Sequence, residues 1–294
     1  MPLRLAILAT CLHAVIGDWA NVFHEPFNGS AVDPTRWNVW HNKTHGDKEW
    51  QLYTGDSVRV ADGALSIVTA AAPPGTLGPD GKRAYAFTSG WLDTSGKVEM
   101  TFGRFEARIR LPVPVRSIWP AYWIVDDTRH CWPTGGEIDI LEAVGGFRNE
   151  SVFGTYHWGS ACGEDDWTSD GQRNGAAAPP AGHNFSDAFH IFGVYFNRTA
   201  ITWHVDGSPY VSRLAGEPSN LFVPSWPLFT ILNTAMAYWG PQPQPPTGEG
   251  LPAVMLVDEV NIFKWSGPGG ATGDFEIPYN ATGLAPQTAR VPHI

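Results

Sequence analysis

Gly135-Gly136-Glu137-Ile138-Asp139-Ile140-Leu141-Glu142 sets three carboxylates among aliphatic residues that read as a buried strand. Successive strand side chains point to opposite faces. Glu137, Asp139 and Leu141 therefore share one face, and Ile138 and Ile140 take the other. Strict alternation places Glu142 with the isoleucines. One extra residue near Ile140 or Leu141, a β-bulge, brings Glu142 round beside the other acids, and bulges are over-represented next to active sites. Three carboxylates on one apolar face repel one another and are costly to desolvate, so stability alone does not select them. Held close, they spread their pKa values, and one carboxyl can stay protonated while another is ionised. The alternative is a solvated edge strand whose acids keep it soluble. The aromatic and apolar neighbours of the run speak against that.

Outward from this run the chain reads as strands and turns. Asp18 to Trp40 supplies the first strands, and Asn42 to Glu49 is polar loop. Two hairpins turn at Asp62-Gly63 and Asp206-Gly207, between alternating apolar runs, a strong short-range hairpin signal. Lys97 to Leu111 has the clearest period of two, with Gly103 shifting its phase as a bulge or bend does. The aromatic stretch Trp119 to Trp132 leads into the central strand. Ser151 to Trp158, Phe189 to Phe196, Pro227 to Trp239 and Pro252 to Trp265 read as further strands. Gly163 to His183 reads as a long loop, and residues from Ser266 onward as a loosely docked tail. No stretch of ten residues keeps a helical period, and no repeat or linker divides the chain. The expectation is one all-β domain over residues 18–294, a sandwich of two antiparallel sheets.

Composition narrows the partners. The 294 residues carry a formal net charge of -10 without a Lys/Arg cluster, which argues against nucleic acid. Charged residues are 16%, below the average of about 25%. Aromatics are 13%, with 14 Trp, so the surface suits a neutral ligand with flat apolar faces, of which sugars are the obvious candidates. Residues 1–17, with Arg4 ahead of Leu5-Ala6-Ile7-Leu8-Ala9, read as a secretory signal peptide too short to span a bilayer. No later stretch is long and apolar enough for a membrane helix. Cys11 leaves with the leader, so Cys131 and Cys162 remain as an expected disulfide. N-x-S/T sequons at Asn28, Asn42, Asn149, Asn184, Asn197 and Asn280 are candidate glycan sites. The expectation is a secreted, monomeric glycoprotein.

Paired carboxylates on the face of a sandwich suggest glycoside hydrolysis, which needs one carboxylic acid to protonate the leaving oxygen and a second carboxylate opposite it. The retaining form sets the two about 5–5.5 Å apart. Same-face neighbours on a strand are roughly 6.6–7 Å apart, so Glu137 and Glu142 must lean towards each other across Asp139.

The run from Trp132 to Glu142 closely resembles the active-site signature of family 16 glycoside hydrolases, with the spacing of the bulged, laminarinase-like branch. Glu49-Trp50-Gln51-Leu52-Tyr53, Phe102-Gly103-Arg104-Phe105-Glu106-Ala107-Arg108, Trp119-Pro120-Ala121-Tyr122-Trp123, Thr155-Tyr156-His157-Trp158-Gly159, Val205-Asp206-Gly207 and Val257-Asp258-Glu259-Val260 are similar to family blocks, in family order. The resemblance implies a β-jelly-roll with a cleft across a concave sheet. It also implies retaining, endo-acting cleavage of β-1,3 or mixed β-1,3/1,4 glucan. By position Glu137 is the nucleophile, Asp139 its helper and Glu142 the general acid/base.

The same resemblance offers Trp119, Trp123 and Trp132 for stacking on sugar rings, with core packing as the alternative. It brings His157 to the acids from the next strand, a structural histidine being the alternative. It adds Asn233 and Arg104 to the substrate contacts, although Arg104 and Arg108 could serve only to balance the cleft acids. It requires no cofactor and admits a structural calcium near Asp258, for which no ligands can be assigned; no His/Cys/Asp set has metal-ligand spacing. One departure stands out: Asn233-Thr234-Ala235 continues into Met236-Ala237-Tyr238-Trp239, where the family commonly has a Gly-Gly pair. Two rival functions use the same scaffold. A glucan-binding protein without catalysis typically lacks the acids that this chain retains. A transglycosylase would use the same residues with a sugar acceptor.

Overall fold

The computed structural model describes residues 18–46, 49–126, 130–145, 151–166, 174–237 and 246–277. The expected leader, Asn149, Asn280, Tyr238 and Trp239 lie outside them.

The strands run in chain order as β1 (Trp19–Glu25), β2 (Asn38–Val39), β3 (Gln51–Tyr53), β4 (Val58–Ala61), β5 (Ala64–Ala71) and β6 (Phe87–Ser89). Next come β7 (Trp91–Asp93), β8 (Glu99–Met100), β9 (Gly103–Arg110), β10 (Ile118–Val125), β11 (Glu137–Glu142) and β12 (Val152–His157). The last are β13 (Asn174–Ala177), β14 (His190–Phe196), β15 (Ala200–Val205), β16 (Ser208–Leu214), β17 (Leu228–Met236) and β18 (Ala253–Trp265).

They form the two sheets of a β-jelly-roll sandwich. The eight-stranded cleft sheet runs β13-β12-β11-β10-β17-β7-β2, with β8 also on β17. The ten-stranded backing sheet runs β16-β15-β14-β9-β18-β5-β6-β3, with β1 on β18 and β4 on β5. Pairing is antiparallel except between β3 and β6.

Local chemistry explains the joints. Asp62 and Gly63, and Asp206 and Gly207, all take positive φ, the geometry of the tight hairpin turns that follow the right-handed twist of the strands. Phe102 and Gly103 do so as well, at φ 56 and 134. There the chain leaves the cleft sheet, where β8 pairs β17, and enters the backing sheet as β9. The phase shift at Gly103 is thus a crossing between sheets rather than a bulge within one. A Cβ on Gly103 would stand 2.5 Å from the Phe263 carbonyl oxygen, so a side chain would push the crossing off β18.

The core lies between the sheets. Leu65, Ile67, Phe105, Phe192 and Val257 from the backing sheet meet Tyr122, Ile138, Leu141, Tyr156 and Leu232 from the cleft sheet. A second cluster, Tyr53, Trp91, Ala121, Trp123, Phe229 and Ile231, includes residues of the cleft floor. Residues 266–277 are not the loose tail expected. Phe275 is buried and packs edge-on against Trp19, and Arg198 donates to the Thr272 carbonyl at 2.7 Å. Asn197 is only 6% exposed; its Nδ2 donates to the Phe275 carbonyl at 2.6 Å, and its Oδ1 accepts from the Thr199 and Ala200 amides. The sequon at Asn197 is therefore closed in the folded chain. The long stretch after Gly163 contains β13, which pairs with β12.

Candidate active site

The register around β11 contains the extra residue. Along β10, Tyr122 faces Leu141 and the next residue, Trp123, faces Asp139, so Ile140 has no opposite number. On the other side, Asp139 faces Thr155 and Glu142 faces Phe153. Ile138, Ile140 and Leu141 all enter the core, and Leu141 is thereby moved off the acids' face. Glu137, Asp139 and Glu142 together line a cavity with Trp119, Ala121, Trp123, Asn233 and Ala235. The bulge is braced through the core: Trp203 on β15 donates its indole N–H to the Asp139 carbonyl at 2.7 Å. Gly154 makes the space, because a Cβ there would lie 2.5 Å from Trp203 Cδ1.

Each glutamate has its own donors. Glu142 is buried and accepts from Trp119 Nε1 at 3.0 Å and from Thr155 Oγ1 at 3.1 Å, one on each oxygen. Glu137 is half-buried and accepts from Trp132 Nε1 at 3.1 Å. His157 Nε2 lies 3.3 Å from Asp139 Oδ2 and 3.9 Å from Glu137 Oε1. Its Nδ1 donates to Asp165 Oδ2 at 2.6 Å.

Burial pushes the Glu137 carboxyl up to about 7, and the neighbouring Asp139 charge adds to this, while His157, His45 and the Trp132 N–H pull it back. Burial, again with Asp139, holds Glu142 well above the usual carboxylate range. For His157, burial acts downward, but the facing carboxylates of Asp139 and Asp165 outweigh it and hold the ring well above its ordinary value. An imidazole with both nitrogens facing carboxylates is a double donor. Glu137, Asp139 and His157 place ligand atoms within 4.8 Å of one another, the one such set among the described residues. The three groups face one another as an acid–base cluster. The Asp258 carboxylate carries the Arg108 guanidinium.

Of the residues expected from sequence, the fold brings Glu137, Asp139, Glu142, Trp119, Trp123, Trp132, His157 and Asn233 together. Trp132 is 46% exposed and stands with its ring 5.8 Å from that of His157. Trp123 is buried, and its N–H donates to Asn233 Oδ1 at 2.8 Å; Asn233 Nδ2 in turn donates to the Tyr53 hydroxyl. Cys131 and Cys162 are bonded, with Cα atoms 5.4 Å apart.

Arg104 is the misplacement. Phe105, Ala107 and Ile109 take the core face of β9, so Arg104, Glu106 and Arg108 point away from the cleft. Its guanidinium lies 3.8 Å from the Phe263 ring centroid and 3.5 Å from Glu106. Arg108 shares that outer face and balances no cleft acid. Residues that sequence reasoning did not offer as site residues are His45, Glu49, Trp91 and Asp165. His45 hydrogen-bonds Glu49 at 3.2 Å, and its ring lies 5.0 Å from that of Trp91. Glu49 sat in a block already noted; His45 and Asp165 lie in polar loops with no pattern to mark them.

Three carboxylates on a bulged strand, among indoles and across the floor of a β-jelly-roll, match known proteins over most of the chain. The β-glucanase of Rhodothermus marinus is 32% identical over 272 residues, which is 84% of this chain and 86% of that protein. A glucan endo-1,3-β-glucosidase A1 of Niallia circulans is 29% identical over 83% of this chain, which spans only 37% of that longer protein. The laminarinase catalytic domain of Thermotoga maritima superposes with a TM-score of 0.70 at 30% identity, covering 84% of this chain and 98% of that domain. Residues 45–253 match the family model described as glycosyl hydrolases family 16, and the chain belongs to that family of glycoside hydrolases.

Proposed function

We propose that this enzyme is an endo-acting β-1,3-glucanase, laminarinase-like, that cleaves β-1,3 or mixed β-1,3/1,4 glucan with retention of configuration. The observation that carries the reading is the bulge at Ile140, which turns Glu142 onto the face of Glu137 and Asp139. Glu142, kept protonated by burial and by the Asp139 charge, gives its proton to the leaving glycosidic oxygen. Glu137, whose carboxylate is favoured by His157 and the Trp132 N–H, attacks the anomeric carbon. The result is an α-linked glycosyl ester and a free sugar end. Glu142, now ionised, takes a proton from water; the hydroxide formed displaces Glu137 and restores the β-configuration. Trp119 and the exposed Trp132 offer apolar faces to glucosyl rings. The relatives named above as glucanases and as a laminarinase support the substrate class. The disulfide supports an oxidising, extracellular setting, where we place a monomer.

Azide tests the roles. Glu142→Ala with an activated aryl β-glycoside should still load Glu137, and azide should restore turnover as a β-glycosyl azide. Rescue of this variant as the α-azide would exchange the two roles. Failure of the wild-type enzyme to release oligosaccharides from laminarin or lichenan would remove the substrate assignment.

A further inference from the structure

The loop between β12 and β13 carries a residue that the reaction above does not use. Asp165 is 10% exposed and places Oδ2 2.6 Å from His157 Nδ1, on the side of the ring away from the acids. Its position is fixed from several directions. The Asp166 amide donates to the Trp158 carbonyl at 2.8 Å, and the Asp166 carboxylate accepts from Asn220 at 2.7 Å. The Gly163 amide donates to the Trp132 carbonyl at 2.7 Å. A Cβ on Gly159 would lie 2.0 Å from the Glu164 carbonyl oxygen, so the loop closes tightly on itself. The Cys131–Cys162 bond then joins this loop to the one bearing Trp132. One covalent link therefore holds both loops that serve Glu137: one supplies the Trp132 N–H, the other supplies Asp165 behind His157.

We infer that Asp165 is a positioning residue for catalysis: seated by the Cys131–Cys162 disulfide, it orients His157 and keeps both ring nitrogens as donors, so that Nε2 faces Asp139 and Glu137 as part of a cation. The inference rests on Glu137 and Glu142 being the reacting pair. Among the described residues, the charged groups facing His157 are Glu137 and Asp139 from β11, with Glu142 beyond them, and Asp165 from its own loop; Trp132 sets its indole beside the ring. The aspartate behind the histidine of a serine-protease triad is the general precedent, a carboxylate that fixes the ring doing the work without titrating itself.

The signs follow from the partners. Burial disfavours the imidazolium, and Asp139 and Asp165 oppose burial. Removing the Asp165 charge lowers the pH at which His157 loses its proton. The positive ring is what pulls both Glu137 and Glu142 down. Its loss moves the ionisation of Glu137, and with it the acid limb of activity, to higher pH.

The experiment compares Asp165→Asn and Asp165→Ser with wild type, following the His157 ring by NMR, its signal identified by its absence in His157→Gln. Both variants should titrate His157 at lower pH than wild type. The acid limb of kcat/KM should rise by about half a pH unit or more, with kcat falling about tenfold and KM changing less than about twofold. Asp165→Glu should recover part of the loss. The double variant Cys131→Ser/Cys162→Ser should shift His157 in the same direction by less. Wild-type titration of His157 in both Asp165 variants would overturn the inference, and an unshifted disulfide variant would remove the disulfide from it. The ring titration is read without substrate. A shifted ring in a protein that cleaves no glucan would support the Asp165 contact while overturning the glucanase reading.

Discussion

Glu25 and Glu142 are buried to the same degree, 7% and 6% exposed, and each accepts an indole N–H, from Trp37 at 3.2 Å and from Trp119 at 3.0 Å. They differ in the charge beside them. Glu25, at the end of β1, has the Arg36 guanidinium at 3.0 Å and the Phe27 amide at 3.1 Å. Glu142 has two other acids, Asp139 and Glu137, that raise it, opposed by His157 and the Thr155 hydrogen bond. A guanidinium stays charged throughout the working range of a protein. A histidine and neutral N–H donors leave the proton count of the site adjustable. Burial is common to both acids, so the neighbouring charge separates a structural acid from one that can trade protons.

Substitutions can break that contrast. The largest effect should come from Glu137→Gln, which removes the proposed nucleophile: activity on laminarin should fall by on the order of 10³-fold or more in a protein of wild-type fold by circular dichroism. A variant with a tenth of wild-type activity would end its role as nucleophile.

The pH profile should be a bell. On the proposed roles, the rising limb should follow ionisation of Glu137 at about 7 and the falling limb loss of the Glu142 proton at higher pH, both as properties of the cluster. Azide-rescued Glu142→Ala should keep the rising limb and lose the falling one. A falling limb that survives in that variant would belong to another group.

Stability should divide the two buried acids. Glu25→Gln loses a charge-assisted bond to Arg36 and should cost about 1–3 kcal/mol, measured by denaturant unfolding at pH 7, with activity retained. Glu142→Gln should act in the opposite direction. The folded state favours the protonated acid, so the ionised form costs stability once pH rises above the unfolded value of 4.5. The variant should therefore gain about 1 kcal/mol or more at pH 7 and nothing below about pH 4. Loss of stability at pH 7 would mean that the Trp119 and Thr155 bonds outweigh the charge. The smallest change is expected from Trp132→Ala: a KM several-fold higher, with unfolding within about 0.5 kcal/mol of wild type, as befits a half-exposed side chain. An unchanged KM would make Trp132 idle surface.

What the sequence disclosed was what short-range chemistry writes into it. Asp62-Gly63 and Asp206-Gly207 announce their hairpins because few other residues accept the positive φ. The bulge was legible because Glu142 made no sense on the core face. Arg104 was misplaced because the resemblance set it among the substrate contacts, while the backbone at Phe102-Gly103 crosses to the backing sheet; a period of two assigns a face, not the sheet that owns it. Asn174 to Ala177 looked like loop because a short edge strand built largely of Gly and Ala carries no alternating apolar pattern. Asp165 left no trace at all. It meets His157 only because a disulfide and a ring of main-chain hydrogen bonds fold the loop back, and neither has a local period.

The engagement of Asn197 carries a consequence for biosynthesis. Its Nδ2, the atom a glycosyltransferase would modify, is spent on the Phe275 carbonyl some 78 residues downstream in the chain. Were a sugar attached while the chain is still emerging, the β14–β15 turn would have to close around an oligosaccharide on a side chain that is only 6% exposed. A folded preparation should therefore carry Asn197 bare, whereas the sequons at Asn28 and Asn42 lie exposed.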